Sequence, residues 1–194
     1  VDLDLQGVLT DYLVVALRVR QDPARARRGL EELARRADVP QYLAAHLESW
    51  VRTLGTLTER TPAATPMDDA RALLAEAKRQ RRYPADRSVL AWDVAASSVL
   101  NRYVSRNPEV SVEMAEAYYL LGLAERHLQR ASAALSEFYL TTAIRLAPRA
   151  PHARDAYEAL EEQLLTDYEG SAGAHVPSEV RAQLEDLRRR IDAP

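Results

Sequence analysis

The stretch that decides the fold is residues 115–128, which read AEAYYLLGLAERHL. Two tyrosines, one glycine and a closing Glu-Arg-His stand in a run that is otherwise rich in alanine and leucine. Apolar residues recur here every three or four positions, which is the spacing of a helix with one buried side. Because glycine weakens a helix interior, Gly122 needs a packing reason to be there. The stretch therefore predicts a helix that lies very close to another helix.

Helical spacing extends over the rest of the chain. No segment alternates apolar and polar residues as a strand would, and prolines separate the periodic runs. Capping and first-turn residues mark helix starts, as at Asp22-Pro23 and Asn107-Pro108. The pattern predicts an all-α protein of about nine helices, at residues 3–21, 24–37, 41–60, 67–82, 85–106, 109–128, 131–147, 151–168 and 178–192.

Two irregular stretches bear on domain organisation. Residues 61–66, TPAATP, are the best linker candidate. They predict an N-terminal helical part at 1–60 and a helical array at 67–194, unless both form one continuous domain. Residues 168–177, YEGSAGAHVP, contain two glycines and predict a loop. Backbone N–H groups of such a loop could bind an anion ahead of the last helix, but a structural role is favoured.

Composition excludes several classes of function. The net charge of −3 supplies no basic field for nucleic acid. The absence of cysteine excludes disulfides, thiolate metal sites, covalent haem attachment and cysteine nucleophiles. The longest strongly apolar run, residues 12–17, is too short to cross a bilayer.

The one dense basic run, residues 78–82, is typical of a helix end where cations complement the macrodipole. The opening VDLDLQ, without an initiator Met, is expected of a mature or excised segment.

The sequence contains no recognisable catalytic or metal-binding constellation. No serine stands on a strand–turn–helix elbow, and the EGSAG stretch lacks the spacing of a nucleophile motif. The four histidines are His46, His127, His152 and His175, and no two of them have the i, i+4 spacing of a helical zinc site. We therefore expect no catalytic residues, no metal and no cofactor.

Six residues in and after the opening stretch have the spacing of a repeat signature. An aromatic residue, a Leu-Gly pair, an alanine and phenylalanine four apart and a closing proline are found at Tyr118, Leu121, Gly122, Ala134, Phe138 and Pro148. Over residues 113–148 the chain resembles the tetratricopeptide repeat. Two positions depart from that pattern, because Glu125 replaces the second tyrosine and Pro148 lies two residues late. A degenerate second unit is expected over residues 152–187.

The resemblance implies antiparallel helix pairs stacked as a right-handed superhelix. Tyr118, Leu121, Ala134 and Phe138 would interlock between the two helices, and Gly122 would allow their close approach. It also implies a ligand groove lined by the first helix of each repeat. The positions that would line it are Glu116, Tyr119, Leu123, Arg126 and His127. The alternative is that Tyr119 is ordinary core and Arg126 is solvated.

These observations favour a non-catalytic protein–protein interaction scaffold, as a subunit or accessory protein of a larger bacterial assembly. The alternative is a chaperone or regulatory domain that binds a peptide or small ligand in its groove; a helical enzyme with an unrecognised site is a third hypothesis. Residues 118–148 and 168–177 also resemble bacterial periplasmic helical proteins associated with c-type cytochromes. That resemblance implies a c-type cytochrome or membrane-complex subunit as the partner, and a periplasmic or extracytoplasmic location, with a cytoplasmic location as the alternative.

Overall fold

The computed structural model describes residues 4–36, 38–128, 132–170, 173–174 and 176–193. Over these residues the chain forms nine α-helices packed against one another, which confirms the prediction of an all-α protein with about nine helices. The chain divides into two compact units. The first holds the described residues up to Arg102 together with His127 and Leu128, and the second holds Tyr103–Arg126 and the described residues from Ser132 onward.

The first unit is built from five helices and two short turns of other helical types. They are α1 (Leu5–Val14), a π-helical turn (Val15–Val19), α2 (Pro23–Ala34), α3 (Gln41–Glu59), α4 (Pro66–Gln80), a 3₁₀ turn (Arg87–Val89) and α5 (Leu90–Arg106), whose last turn falls in the second unit. The predicted first helix thus changes type at Val15. There the N–H of Arg20 donates to the Val15 carbonyl at 2.9 Å, a bond that spans five residues.

Among the described residues, two hydrophobic clusters lie in the first unit. One joins α1, α2 and α3 to the start of α5, with Trp50 fully buried and its indole N–H donating to the Arg87 carbonyl at 2.8 Å. The other packs α4 against α5 around Leu73 and Trp92. The boundary expected at 61–66 therefore does not separate two units, because Leu54 before it and Leu90 after it share one core.

The second unit contains four further helices. They are α6 (Val112–Glu125), α7 (Ser132–Leu146), α8 (Pro151–Tyr168) and α9 (Ser178–Asp192). Helix α6 begins later than predicted because Ser111, rather than Asn107, caps it by accepting the Met114 N–H at 3.0 Å. In the predicted loop, β1 (Glu169–Gly170) and β2 (Gly173–Ala174) pair antiparallel. Ser171, Ala172 and His175 lie outside the described residues.

Helices of the second unit contact each other in a regular order. Each of α6, α7 and α8 packs against the next helix, and α6 also touches α8 while α7 touches α9. The shared core is formed by buried residues of α7, α8 and α9, namely Leu140, Ala143, Ile144, Ala156, Leu160, Leu164, Leu184 and Leu187. Contact between alternate helices is what stacked helix pairs require. It places α6 beside α8, the first helices of the two expected repeats.

Candidate interaction face on helices α6 and α8

The opening stretch packs against α7 through Gly122. A Cβ at this position would lie 2.5 Å from Cδ2 of Leu140, which is fully buried. The Gly122 carbonyl also accepts a hydrogen bond from the Ser136 hydroxyl at 2.9 Å. Tyr118 lies half-buried against Tyr139 of α7, with ring centroids 5.9 Å apart. The glycine thus lies where the two helices are closest.

The packing expected for Ala134 and Phe138 is not found. Both lie on the exposed side of α7, and Phe138 is 57% exposed. The side of α7 that faces α6 carries Ser136 and Leu140, which lie two residues further along. A shift of two residues moves a side chain by about 200° around a helix, so the spacing of the motif was matched on the wrong face. Pro148 follows the end of α7, in the turn before α8.

Tyr119 points toward α8 and stacks on His152. The ring centroids are 6.1 Å apart and the ring planes differ by 14°. Near the other end of α6, the Arg126 guanidinium donates to a carboxylate oxygen of Glu162 on α8 at 3.1 Å. These two contacts define a strip along both helices, which we name the α6–α8 seam.

The remaining groove candidates lie at different places. Glu116 is half-buried one turn before Tyr119 on α6, and Leu123 is half-buried one turn after it. His127 lies in the turn after α6 and belongs to the first unit, so it is not counted with the seam. The structure therefore brings Glu116, Tyr119 and Arg126 toward α8.

Carboxylates determine the charge of the seam. Burial raises the pKa of Tyr119, and the negative charges of Asp155, Glu116 and Glu158 raise that pKa further. Burial lowers the pKa of His152, while Glu116 and Asp155 act in the opposite direction and are outweighed. Tyr119 is thus an un-ionised phenol and His152 a neutral imidazole at pH 7. The seam is a neutral aromatic pair with three carboxylates around it.

This arrangement favours contact with a cation. A positively charged group held near the Tyr119 ring would gain both cation–π attraction and the field of the carboxylates. Nε2 of His152 is buried and has no hydrogen-bond partner among the described residues. That nitrogen offers a hydrogen bond to an incoming group if the seam opens slightly.

The basic run at 78–82 takes part in ion pairs within the first unit. Its arginines are paired, Arg79 with Glu76, Arg81 with Asp93 and Arg82 with Asp86. Within the described residues, no group of three or more His, Asp or Glu side chains is arranged to hold a metal ion. In the same part of the chain, no helix is both long and apolar enough to span a membrane.

Four residues of the seam were not assigned to the groove from the sequence: His152, Asp155, Glu158 and Glu162. All lie on α8, the first helix of the expected second repeat. The signal was present, since a groove lined by first helices must include α8 as well as α6. Carrying the groove positions into the expected second repeat would have drawn attention to residues 152–162 of this helix.

Comparisons of the chain with protein-family models, with curated proteins and with solved structures found no match. Function is therefore inferred from the geometry and charge of the seam.

Proposed function

We propose that the protein is a non-catalytic protein–protein interaction scaffold whose α6–α8 seam binds a basic segment of its partner. The observation that carries this proposal is the Tyr119–His152 stack with Glu116, Asp155 and Glu158 around it. A lysine or arginine of the partner would lie against the aromatic pair and be paired by the carboxylates. Tyrosine at the centre of such a contact is typical of residues that contribute most to binding.

The seam supports a macromolecular partner better than a small ligand. Its polar groups extend along two helices, from His152 at the first turn of α8 to Glu162 more than two turns later. A small molecule would instead need a concave, mostly apolar pocket with a few convergent polar groups. More specifically, we propose that the chain is a subunit of a bacterial, extracytoplasmic assembly that includes a c-type cytochrome.

The test is affinity capture from native membranes and periplasm, with the wild-type chain and two matched variants as bait. Asp155→Lys/Glu158→Lys reverses two exposed charges on the seam side, and Glu109→Lys/Glu185→Lys makes the same net charge change elsewhere in the second unit. We expect a stoichiometric partner, identified by mass spectrometry, that the first variant loses at least tenfold and the second retains. Haem absorbance of the captured material tests the cytochrome hypothesis.

Two outcomes would contradict the proposal. Equal capture by both variants would mean that the seam is not the binding surface. Catalytic turnover by the isolated chain, without any partner, would reject the scaffold function itself. Hydrogen exchange of the complex locates the binding surface independently. Protection of backbone N–H groups should increase in α6 and α8 and not at the exposed residues of α7.

A further inference from the structure

Helix α1 and the π-helical turn after it carry a row of exposed apolar side chains. Leu5 is 39% exposed, Val8 52%, Tyr12 37%, Val15 45% and Val19 70%. We name this row the α1 stripe. The opposite side of the same helix is buried in the core shared with α2 and α3, and none of the five stripe residues belongs to that core, although the Tyr12 hydroxyl also lies beside Gly29 of α2.

The spacing of the stripe is that of a helix-pairing seam. Its five residues follow one another at intervals of three, four, three and four, as do the a and d positions of a heptad repeat. Five large apolar side chains in one strip form a patch of a few hundred Å², the size that marks an interaction site on a soluble chain. The spacing indicates that the missing partner is another helix.

The charges beside the stripe indicate which helix this is. Exposed Asp4 and Asp11 lie in its first half, and exposed Arg20 and Arg25 lie at its far end. A second copy of α1 in the antiparallel direction, with the axis near Tyr12, would bring Asp4 of each copy against Arg20 of the other, since both lie eight residues from that axis. Asp11 lies next to the axis and takes no part in this pairing. A parallel copy would place like charges together, which is unfavourable.

The two ends of the stripe lie at equal distances from its middle residue, whereas Val8 lies four residues before it and Val15 three after it. Leu5 lies seven residues before Tyr12 and Val19 lies seven residues after it. In an isologous two-fold contact, residues equidistant from the axis meet each other. A cavity of about 220 Å³ opens beside the stripe, lined by Tyr12, Val15 and Ala16 together with residues of α2, and offers a hole for a side chain of the second copy.

We propose that the α1 stripe is a homodimer interface in which two copies of α1 pair antiparallel about a two-fold axis at Tyr12. This inference is independent of the α6–α8 seam, which lies in the other unit. Pairing of one helix per copy lies at the low end of the area range for specific interfaces, so the dimer is expected to exchange with monomer.

Sedimentation velocity of the full chain over a wide concentration range measures this equilibrium. We expect wild type to dimerise, and Val8→Glu/Val15→Glu to remain monomeric at every concentration because two carboxylates would be buried. Val110→Glu/Phe138→Glu changes equally exposed apolar residues outside the stripe and should dimerise as wild type does. Far-UV circular dichroism checks that each variant is folded. A wild type that is monomeric throughout, or a stripe variant that still dimerises, would overturn the proposal.

Cysteine cross-linking tests the direction of pairing, and the chain is suited to it because it contains no cysteine. A disulfide forms only where the two Cα atoms come within about 7 Å. Under mild oxidation with diamide, Tyr12→Cys should therefore cross-link to itself at the axis. Leu5→Cys and Val19→Cys should each form no disulfide alone, and should form a mixed disulfide when the two variant proteins are mixed. Self-linking of Leu5→Cys would indicate parallel helices and reject the antiparallel model.

Discussion

At the scale of single residues, the contact between α6 and α7 is tight at Gly122, where a Cβ would lie 2.5 Å from Cδ2 of Leu140. A glycine inside an apolar helix predicts close approach, and Gly122 lies against Leu140. The motif failed for Phe138 because a spacing of four residues identifies a shared helix face but not which face is buried. Leu140, Ala143 and Ile144 have the same periodicity and are the residues that α7 buries. Only the neighbouring helices decide between two such faces.

Gly122→Ala is expected to destabilise the second unit by about 1–2 kcal/mol. Overpacking a tight core costs about 1–3 kcal/mol, and the better helix propensity of alanine returns up to about 1 kcal/mol. Leu140 is fully buried and has little room to move away from the added methyl group. Urea unfolding of wild type and variant, followed by circular dichroism, measures the difference.

Gly55→Ala is the matched control. It is also a glycine inside a helix, but its Cβ would meet the guanidinium of Arg27, 3.2 Å away at Nη1, which is the far end of a long flexible side chain and is paired with Glu31. We expect this variant to be as stable as wild type or slightly more stable. If the two substitutions had the same effect, the close approach at Gly122 would not be the reason for its glycine.

At the scale of elements, the connection between α4 and α5 is organised by one buried carboxylate. Asp86 is 1% exposed and accepts hydrogen bonds from the backbone N–H groups of Arg82 and Ser88 at 3.1 and 3.0 Å. Burial by itself would raise the pKa of Asp86. The hydrogen bonds from Ser88 and Arg82 outweigh it and lower that pKa to about 2. Trp50 of α3 donates to the next residue of the same connection, so this carboxylate orders a contact between three elements.

Asp86→Asn is expected to lower the free energy of unfolding by about 2 kcal/mol at pH 7. This is the free energy that corresponds to a carboxyl pKa lowered from 3.8 to about 2 in the folded state. Because the pKa is lower in the folded state, this stability is present above pH 3.8 and is lost as the pH falls toward 2. Urea unfolding at a series of pH values should show the two curves converging in acid. Asp38→Asn removes an exposed partner of Arg36 and should change little. A difference between wild type and Asp86→Asn that persisted at pH 2 would exclude the carboxylate as its cause.

Helix positions were predictable because capping residues and prolines are local signals. Pro23 begins α2 with Asp22 as its cap, and Ser111 begins α6. Ser111 could have been recognised from the sequence as a better cap than Asn107-Pro108. The π-helical turn at Val15–Val19 could not, because its apolar residues keep the spacing of an ordinary α-helix.

At the scale of the whole molecule, the division into two units was not predictable. The proline-rich residues 61–66 have the composition of a linker, yet α5 returns to complete the core of α1, α2 and α3. Which helices share a core depends on contacts distant in sequence, and composition carries no record of them. The same reason explains why His152 was not assigned to the seam until α8 was placed beside α6.

Each unit contains one half-buried histidine whose pKa is lowered, mainly by burial: His46 in the first and His152 in the second. The folded state then binds a proton less readily than the unfolded chain, whose histidines titrate near 6.5. Stability is therefore complete above pH 6.5 and falls as the pH decreases below that value. Thermal unfolding between about pH 7.5 and pH 5, a window that includes the histidine range and lies above that of the carboxylates, should show a decreasing melting temperature.

Variants of the two histidines should show whether the two units unfold independently. Both tryptophans, Trp50 and Trp92, lie in the first unit, so tryptophan fluorescence reports its unfolding alone. His46→Gln should flatten the pH dependence of the fluorescence transition, because the stacked ring next to Trp50 no longer titrates. His152→Gln should leave that transition unchanged and flatten the remaining change in circular dichroism. If either variant altered both signals equally, the two units would be unfolding as one, and the acid sensitivity would belong to the whole chain rather than to each core.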